Sequence, residues 1–182
     1  MTAFATPPSD YRLLVPRDWF RVDLTQERWR RQLKTFVDKE SAGSGTPPDA
    51  VRSIWATLRN TAERGVAQGA LEFFLKTESP GGSALPASLL ISLLQIPRGL
   101  VPEPDEFLRE LARRSGAGSE VQCVELPAGL TVRAVTETTM DYHVHMPGGV
   151  GYLHLAFGIP MSGTKGAMGE LCDAMAHSVR WV

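Results

Sequence analysis

Apolar and polar residues alternate most cleanly between Asp141 and Phe157. The stretch reads Asp141-Tyr-His-Val-His-Met146, then Pro147-Gly-Gly-Val150, then Gly151-Tyr-Leu-His-Leu-Ala-Phe157. A period of two marks strands. A glycine pair between two such runs marks a hairpin, because primed turns need positive φ at their central residues. With Gly148-Gly149 as a two-residue loop, Pro147 faces Val150, His145 faces Tyr152 and His143 faces His154. A four-residue loop, Pro147 to Val150, keeps that register. One face then carries Tyr142, Val144, Met146, Leu153, Leu155 and Phe157. The other carries Asp141, His143, His145, Tyr152 and His154. A one-residue slip would mix the two sets, so the apolar face specifies the pairing.

The rest of the chain is read the same way. Residues 1–10 are rich in Pro, Ser and Thr and are expected to fray. Tyr11 to Val15 predicts a strand, Pro16 to Phe20 a turn, and Arg21 to Leu24 a second short strand. A helix is expected from an Asp23 or Thr25 cap to about Lys39, with Trp29, Leu33, Phe36 and Val37 at helical spacing. After the connector 41–48, a second helix runs from about Asp49 to Ala67 and buries Val51, Ile54, Trp55, Leu58 and Ala62. Gly69 to Thr77 alternates Leu71, Phe73 and Leu75. Ser79 to Ser83 predicts a turn, and the near-continuously apolar Pro86 to Ile96 predicts a strand covered on both faces. Pro104 opens a third helix, Asp105 to Arg114, with Phe107, Leu108 and Leu111 inward. Strands follow over Glu120 to Leu126 and Leu130 to Thr139, then the hairpin. The closing helix, Lys165 to Arg180, turns Ala167, Leu171, Met175 and Val179 inward and is followed by Trp181.

Runs of strands with segregated helices signal an α+β fold. The count predicts a mostly antiparallel sheet of about six or seven strands with helices on both faces. Residues 11–182 form one domain behind a flexible tail, 1–10.

Length and charge narrow the function. A chain of 182 residues buries roughly 70% of its unfolded surface and needs no metal or disulfide to fold. A formal net charge of -1 argues against nucleic acid, which selects a basic face. The longest apolar run, Leu85 to Ile96, holds a proline, two serines and a glutamine, so no membrane insertion is expected. Residues 1–10 lack the basic and apolar regions of an export signal, and the two cysteines, Cys123 and Cys172, read as reduced thiols. A cytoplasmic protein is expected.

The element order, together with Val15-Pro-Arg-Asp-Trp-Phe20 near the start and Glu170-Leu-Cys-Asp-Ala-Met-Ala-His-Ser-Val-Arg-Trp181 at the end, resembles the PsbP-like fold. That fold, an α/β/α sandwich, is shared by photosystem extrinsic subunits, Ran-binding Mog proteins and the actinobacterial LpqN/LpqT lipoproteins. The layout is also similar to a group of actinobacterial cytoplasmic proteins. This sequence differs in lacking a lipobox cysteine and in carrying two helices between Leu24 and Gly69. The resemblance implies binding or scaffolding without catalytic residues, and so transfers no site.

Among candidate chemistry, His143, His145 and His154 share a face with Tyr152, and three histidines with one open position is a catalytic zinc pattern. The bland alternative is a polar sheet face, with Asp141 and Glu137 the nearest acids. Gly158-Ile-Pro-Met-Ser-Gly-Thr-Lys-Gly166 echoes a phosphate loop, but Thr164 separates Gly163 from Lys165, and no later strand supplies a magnesium-binding acid. That stretch reads as a loop with an N-cap at Ser162 or Thr164. Arg28, Arg31 and Lys34 on the first helix offer either a solvated face or a docking surface for an acidic partner. No serine or cysteine sits in a nucleophile elbow. The expected function is a non-enzymatic adaptor, scaffold or chaperone-like module that binds another protein without a cofactor. The alternative is a small zinc enzyme or sensor using the histidine face.

Overall fold

The hairpin forms in the expected register. β7 (Thr139–His145) pairs with β8 (Gly151–Gly158), placing His143 opposite His154 and His145 opposite Tyr152. The four-residue form of the loop is the one adopted: Gly149 N–H donates to the Met146 carbonyl at 3.2 Å and Met146 N–H to the Gly151 carbonyl at 3.0 Å. Gly148 and Gly149 take φ of 84° and 60°, which explains the glycine pair. Tyr142, Val144, Leu153, Leu155 and Phe157 are all buried. Each full burial is worth roughly 1.5–3 kcal/mol, against about 0.5–1.5 kcal/mol for a turn hydrogen bond, so the apolar face dominates the choice of register.

The computed structural model describes residues 6–77, 86–97 and 99–182. It shows an α+β fold. The remaining elements are β1 (Tyr11–Arg12), β2 (Trp19–Asp23), α1 (Trp29–Ala42), α2 (Pro48–Ala67), β3 (Ala70–Lys76), β4 (Ser88–Gln95), α3 (Pro104–Arg114), β5 (Glu120–Leu126), β6 (Gly129–Val135), α4 (Ala167–His177) and β9 (Arg180–Trp181). Seven strands make one antiparallel sheet in the order β2-β3-β4-β8-β7-β6-β5, and β1 pairs with β9 in a separate ribbon. The turn expected at Ser79 to Ser83 lies outside the described residues.

Both faces of the sheet are covered. On one, Cys172, Met175 and Ala176 of α4, with Val179, pack on the apolar face of β7 and β8, joined by Tyr11, Leu13 and Val15. Tyr142 ties the layers together: its hydroxyl donates to Asp173 of α4 at 2.5 Å and accepts from Arg133 Nε at 3.2 Å. On the other face, Trp29, Leu33, Phe36 and Val37 of α1 and Leu58 and Ala62 of α2 cover Val22, Phe73 and Leu75. α3 lies on that same face over β5 and β6. All four tryptophans are buried or half-buried packing residues. No helix among the described residues is long and apolar enough to cross a membrane.

Several boundaries move for local reasons. The Asp23 carboxylate accepts from Thr25 N–H and hydroxyl at 3.0 and 2.6 Å, closing a turn, so α1 starts only at Trp29. The Thr164 hydroxyl donates to the Thr136 carbonyl at 2.7 Å instead of capping, and α4 starts at Ala167 without a side-chain cap. Its buried stripe is accordingly Cys172, Met175 and Ala176, with Ala167 exposed. Ser9 and Asp10, expected in the frayed tail, donate their N–H groups to the Val182 carbonyl at 2.9 and 3.3 Å.

Gly151 opens β8 at φ 144°, and a Cβ there would lie 2.1 Å from the Leu94 carbonyl oxygen. Gly151→Ala should therefore lower unfolding stability by roughly 2 kcal/mol or more, read from the urea midpoint.

Candidate functional site

Burying the apolar residues of β7 and β8 under α4 forces their alternate residues onto the face shared by α1, α2 and α3. The register then builds rows across the sheet: Ser88–Gly158–Thr139, Leu90–Ala156–Asp141, Ser92–His154–His143 and Leu94–Tyr152–His145. α2 covers the β3 and β4 flank and α3 the β5 and β6 flank. Between them runs a strip in which Gly158, Ala156, Asp141 and His154 are only half-buried. At one end a 410 Å3 hollow opens beside α2, with Ile54, Thr57, Leu58 and Thr61 on its wall and Ser88, Thr139 and Gly158 on its floor.

The other end is closed by Phe107 from α3. Its ring stacks on Tyr152 at 4.6 Å and lies tilted against His143 at 4.9 Å. Tyr152 is fully buried and donates its hydroxyl to the Pro102 carbonyl at 2.7 Å, pinning the segment that leads into α3. His143 and His154 stack nearly parallel, with centroids 4.1 Å apart at 8°. His154 Nε2 sits 2.7 Å from Asp141 Oδ1, on the diagonal of the β7–β8 pair.

His143 is 7% exposed, and its Nδ1 has no hydrogen-bond partner. Burial lowers its pKa to about 3, the neighbouring His154 adds to the effect, and Asp141 opposes it. A buried imidazole beside a second imidazole stays neutral, because charging it would require both desolvation and close approach of like charge.

The structure thus brings His143 and His154 together, while His145 lies tilted against Tyr152 at 5.1 Å. Parallel rings direct their in-plane lone pairs side by side, not at a common point. Among the described residues, no group of three or more His, Cys, Asp or Glu side chains is disposed to hold a metal ion. Burial pushes the Cys172 thiol up to about 12, while desolvation and the charge of Asp105 raise the exposed Cys123 thiol above its ordinary value.

The candidate docking residues on α1 separate. Lys34 pairs with Asp38 at 2.6 Å, whereas Arg28 and Arg31 are exposed and carry no ion pair among the described residues. Between them, Arg30 lies over the Trp29 ring at 4.5 Å and pairs with Glu63 of α2 at 3.2 Å. The role of Phe107 as the cover over the histidines was not legible. Its inward position on α3 was, but the strand beneath it was not. Comparison with protein-family models, curated proteins and solved structures finds no match for this chain.

The unfolded chain protonates His143 near 6.5 and the folded protein only near 3. Between those values the unfolded state binds more protons, so stability is full above about 6.5 and falls as pH drops toward 3. Urea midpoints measured against pH should show this slope, and His143→Phe should flatten it. Zinc titration should give equally weak binding by wild type and His143→Ala, since stacked rings make a poor ligand pair; a histidine-dependent site would contradict this.

Proposed function

We propose that the chain is a non-enzymatic protein-binding module, an adaptor or chaperone-like scaffold, that lays an extended segment of a partner along the strip between α2 and α3. The half-open strip is the observation that carries this reading. Helices cover both flanks of the sheet face, while the middle is floored by Gly158, Ala156 and the Asp141–His154 pair. Such a floor, of small and polar residues, is left half-exposed to water. The hydroxyls of Thr57 and Ser88 offer neutral donors and acceptors of the kind an extended backbone needs, and those of Thr61 and Thr139, bonded to the Thr57 carbonyl and the Thr136 hydroxyl, keep lone pairs that accept. Ile54 and Leu58 supply apolar contact beside them. A hollow of 410 Å3 falls in the range that receives a side chain or small ligand group. The likeness to PsbP-like scaffolds points the same way, and a cytoplasmic setting belongs to the same proposal.

Thr57 is exposed on α2 and lines the hollow, so Thr57→Trp fills it without touching the core. In a pull-down from the native host, the wild type should recover a reproducible partner that this variant loses, with both chains melting within a few degrees of each other. Equal recovery by the two chains, or no partner with either, would overturn the proposal.

A further inference from the structure

On the opposite side of the sheet from the strip, the β1–β9 ribbon sets two like charges against each other. Tyr11 and Trp181 face each other inward against the core, so the next pair, Arg12 and Arg180, faces outward. Both arginines are exposed, and neither has an ion pair among the described residues. Like charges directly opposite across an antiparallel pair repel. Arg180 cannot swing away freely, because its Nη1 donates to the His177 and Val179 carbonyls at 2.8 and 2.7 Å, over the end of α4. The nearest acid along the ribbon, Asp10, turns one carboxylate oxygen back to the Tyr11 N–H at 2.8 Å. Leu14, two residues beyond β1, is 76% exposed, and its N–H is held by the Ser178 hydroxyl at 2.9 Å. Around these residues lies a hollow of 550 Å3, lined by Arg12, Leu13, Leu14, Ser178, Arg180, Trp181 and Val182.

We infer that this ribbon is a docking surface for a partner protein presenting an acidic segment with apolar neighbours, its carboxylate seated between Arg12 and Arg180 and an aliphatic side chain against Leu14. Two arginines opposite each other in the ribbon, with Nε and Nη2 of Arg180 left over from its bonds to the end of α4, offer forked donors to a carboxylate, and the anion removes their mutual repulsion. The exposed Leu14 selects a protein segment over a bare anion, because an aliphatic side chain gains nothing from phosphate. This surface is separate from the strip between α2 and α3, and the inference stands or falls independently of the function proposed there.

Fluorescence polarisation with short labelled peptides on the full chain tests it. A peptide alternating Glu and Leu should bind, more weakly as salt rises, while a Lys and Leu peptide should not. Arg12→Glu places a carboxylate opposite Arg180, so it should raise the melting temperature while weakening the Glu and Leu peptide by about tenfold or more. Stability and affinity thus move in opposite directions, which a merely structural arginine would not produce. Leu14→Ser, at a side chain already in water, should weaken the same peptide without changing the fold. No binding by the wild type, equal binding of the Lys and Leu peptide, or unchanged affinity in either variant would overturn the inference.

Discussion

The architecture depends on one burial decision, the side of the β7–β8 hairpin that meets α4. Tyr142, Val144, Leu153, Leu155 and Phe157 are withdrawn from water there together with Cys172 and Met175. At roughly 1.5–3 kcal/mol for each large side chain, no turn or ion pair on the other side competes with that choice. Pairing of β8 with β4 extends the decision, since Leu89, Ile91 and Leu93 fall opposite Phe157, Leu155 and Leu153. Because side chains alternate, the same decision delivers Asp141, His143, Tyr152 and His154 to the far face. Polar chemistry in the middle of the sheet is thus a by-product of satisfying the core.

How the far face is covered then sets what that chemistry can do. α1 and α2 build their own apolar cluster over one flank. α3 is short and fully buries only Pro104, so it shades the other flank without reaching across. Phe107 seals Tyr152 and His143, and the rest of the floor stays partly wet. His143 is consequently neutral and His154 keeps Asp141 as its partner. What the floor offers is one neutral ring, one ring beside a carboxylate and several hydroxyls.

What was legible in the residues was whatever short periods encode. The hairpin register, the inward stripe of α2 and the helix opening at Pro104 all follow from spacing and proline chemistry, and the structure shows each of them. The alternation also places the histidines on one face, but ring orientation depends on Phe107 arriving from an element far away in sequence. Competition for hydroxyls escaped in the same way: Thr164 is a sound capping residue until the Thr136 carbonyl comes within reach. Of the β1–β9 ribbon, β1 falls within the strand expected over Tyr11 to Val15, whereas β9 left no periodic trace, because two residues are too short to show one and Arg180 reads as the end of the closing helix. Strand order belongs to the same class, since adjacency of β4 and β8 joins segments separated by a helix and three strands.

That ribbon has a consequence for how the protein is made. Tyr11 and Arg12 leave the ribosome well before their partners, Trp181 and Arg180, which lie 170 and 168 residues further along the chain. Until then Tyr11, Leu13 and Val15 have no ribbon to hold them against the core, and one side of the nascent sheet is left uncovered. Closure of the fold is therefore a late, long-range step, and the interval before it is when the growing polypeptide most needs shielding from its neighbours.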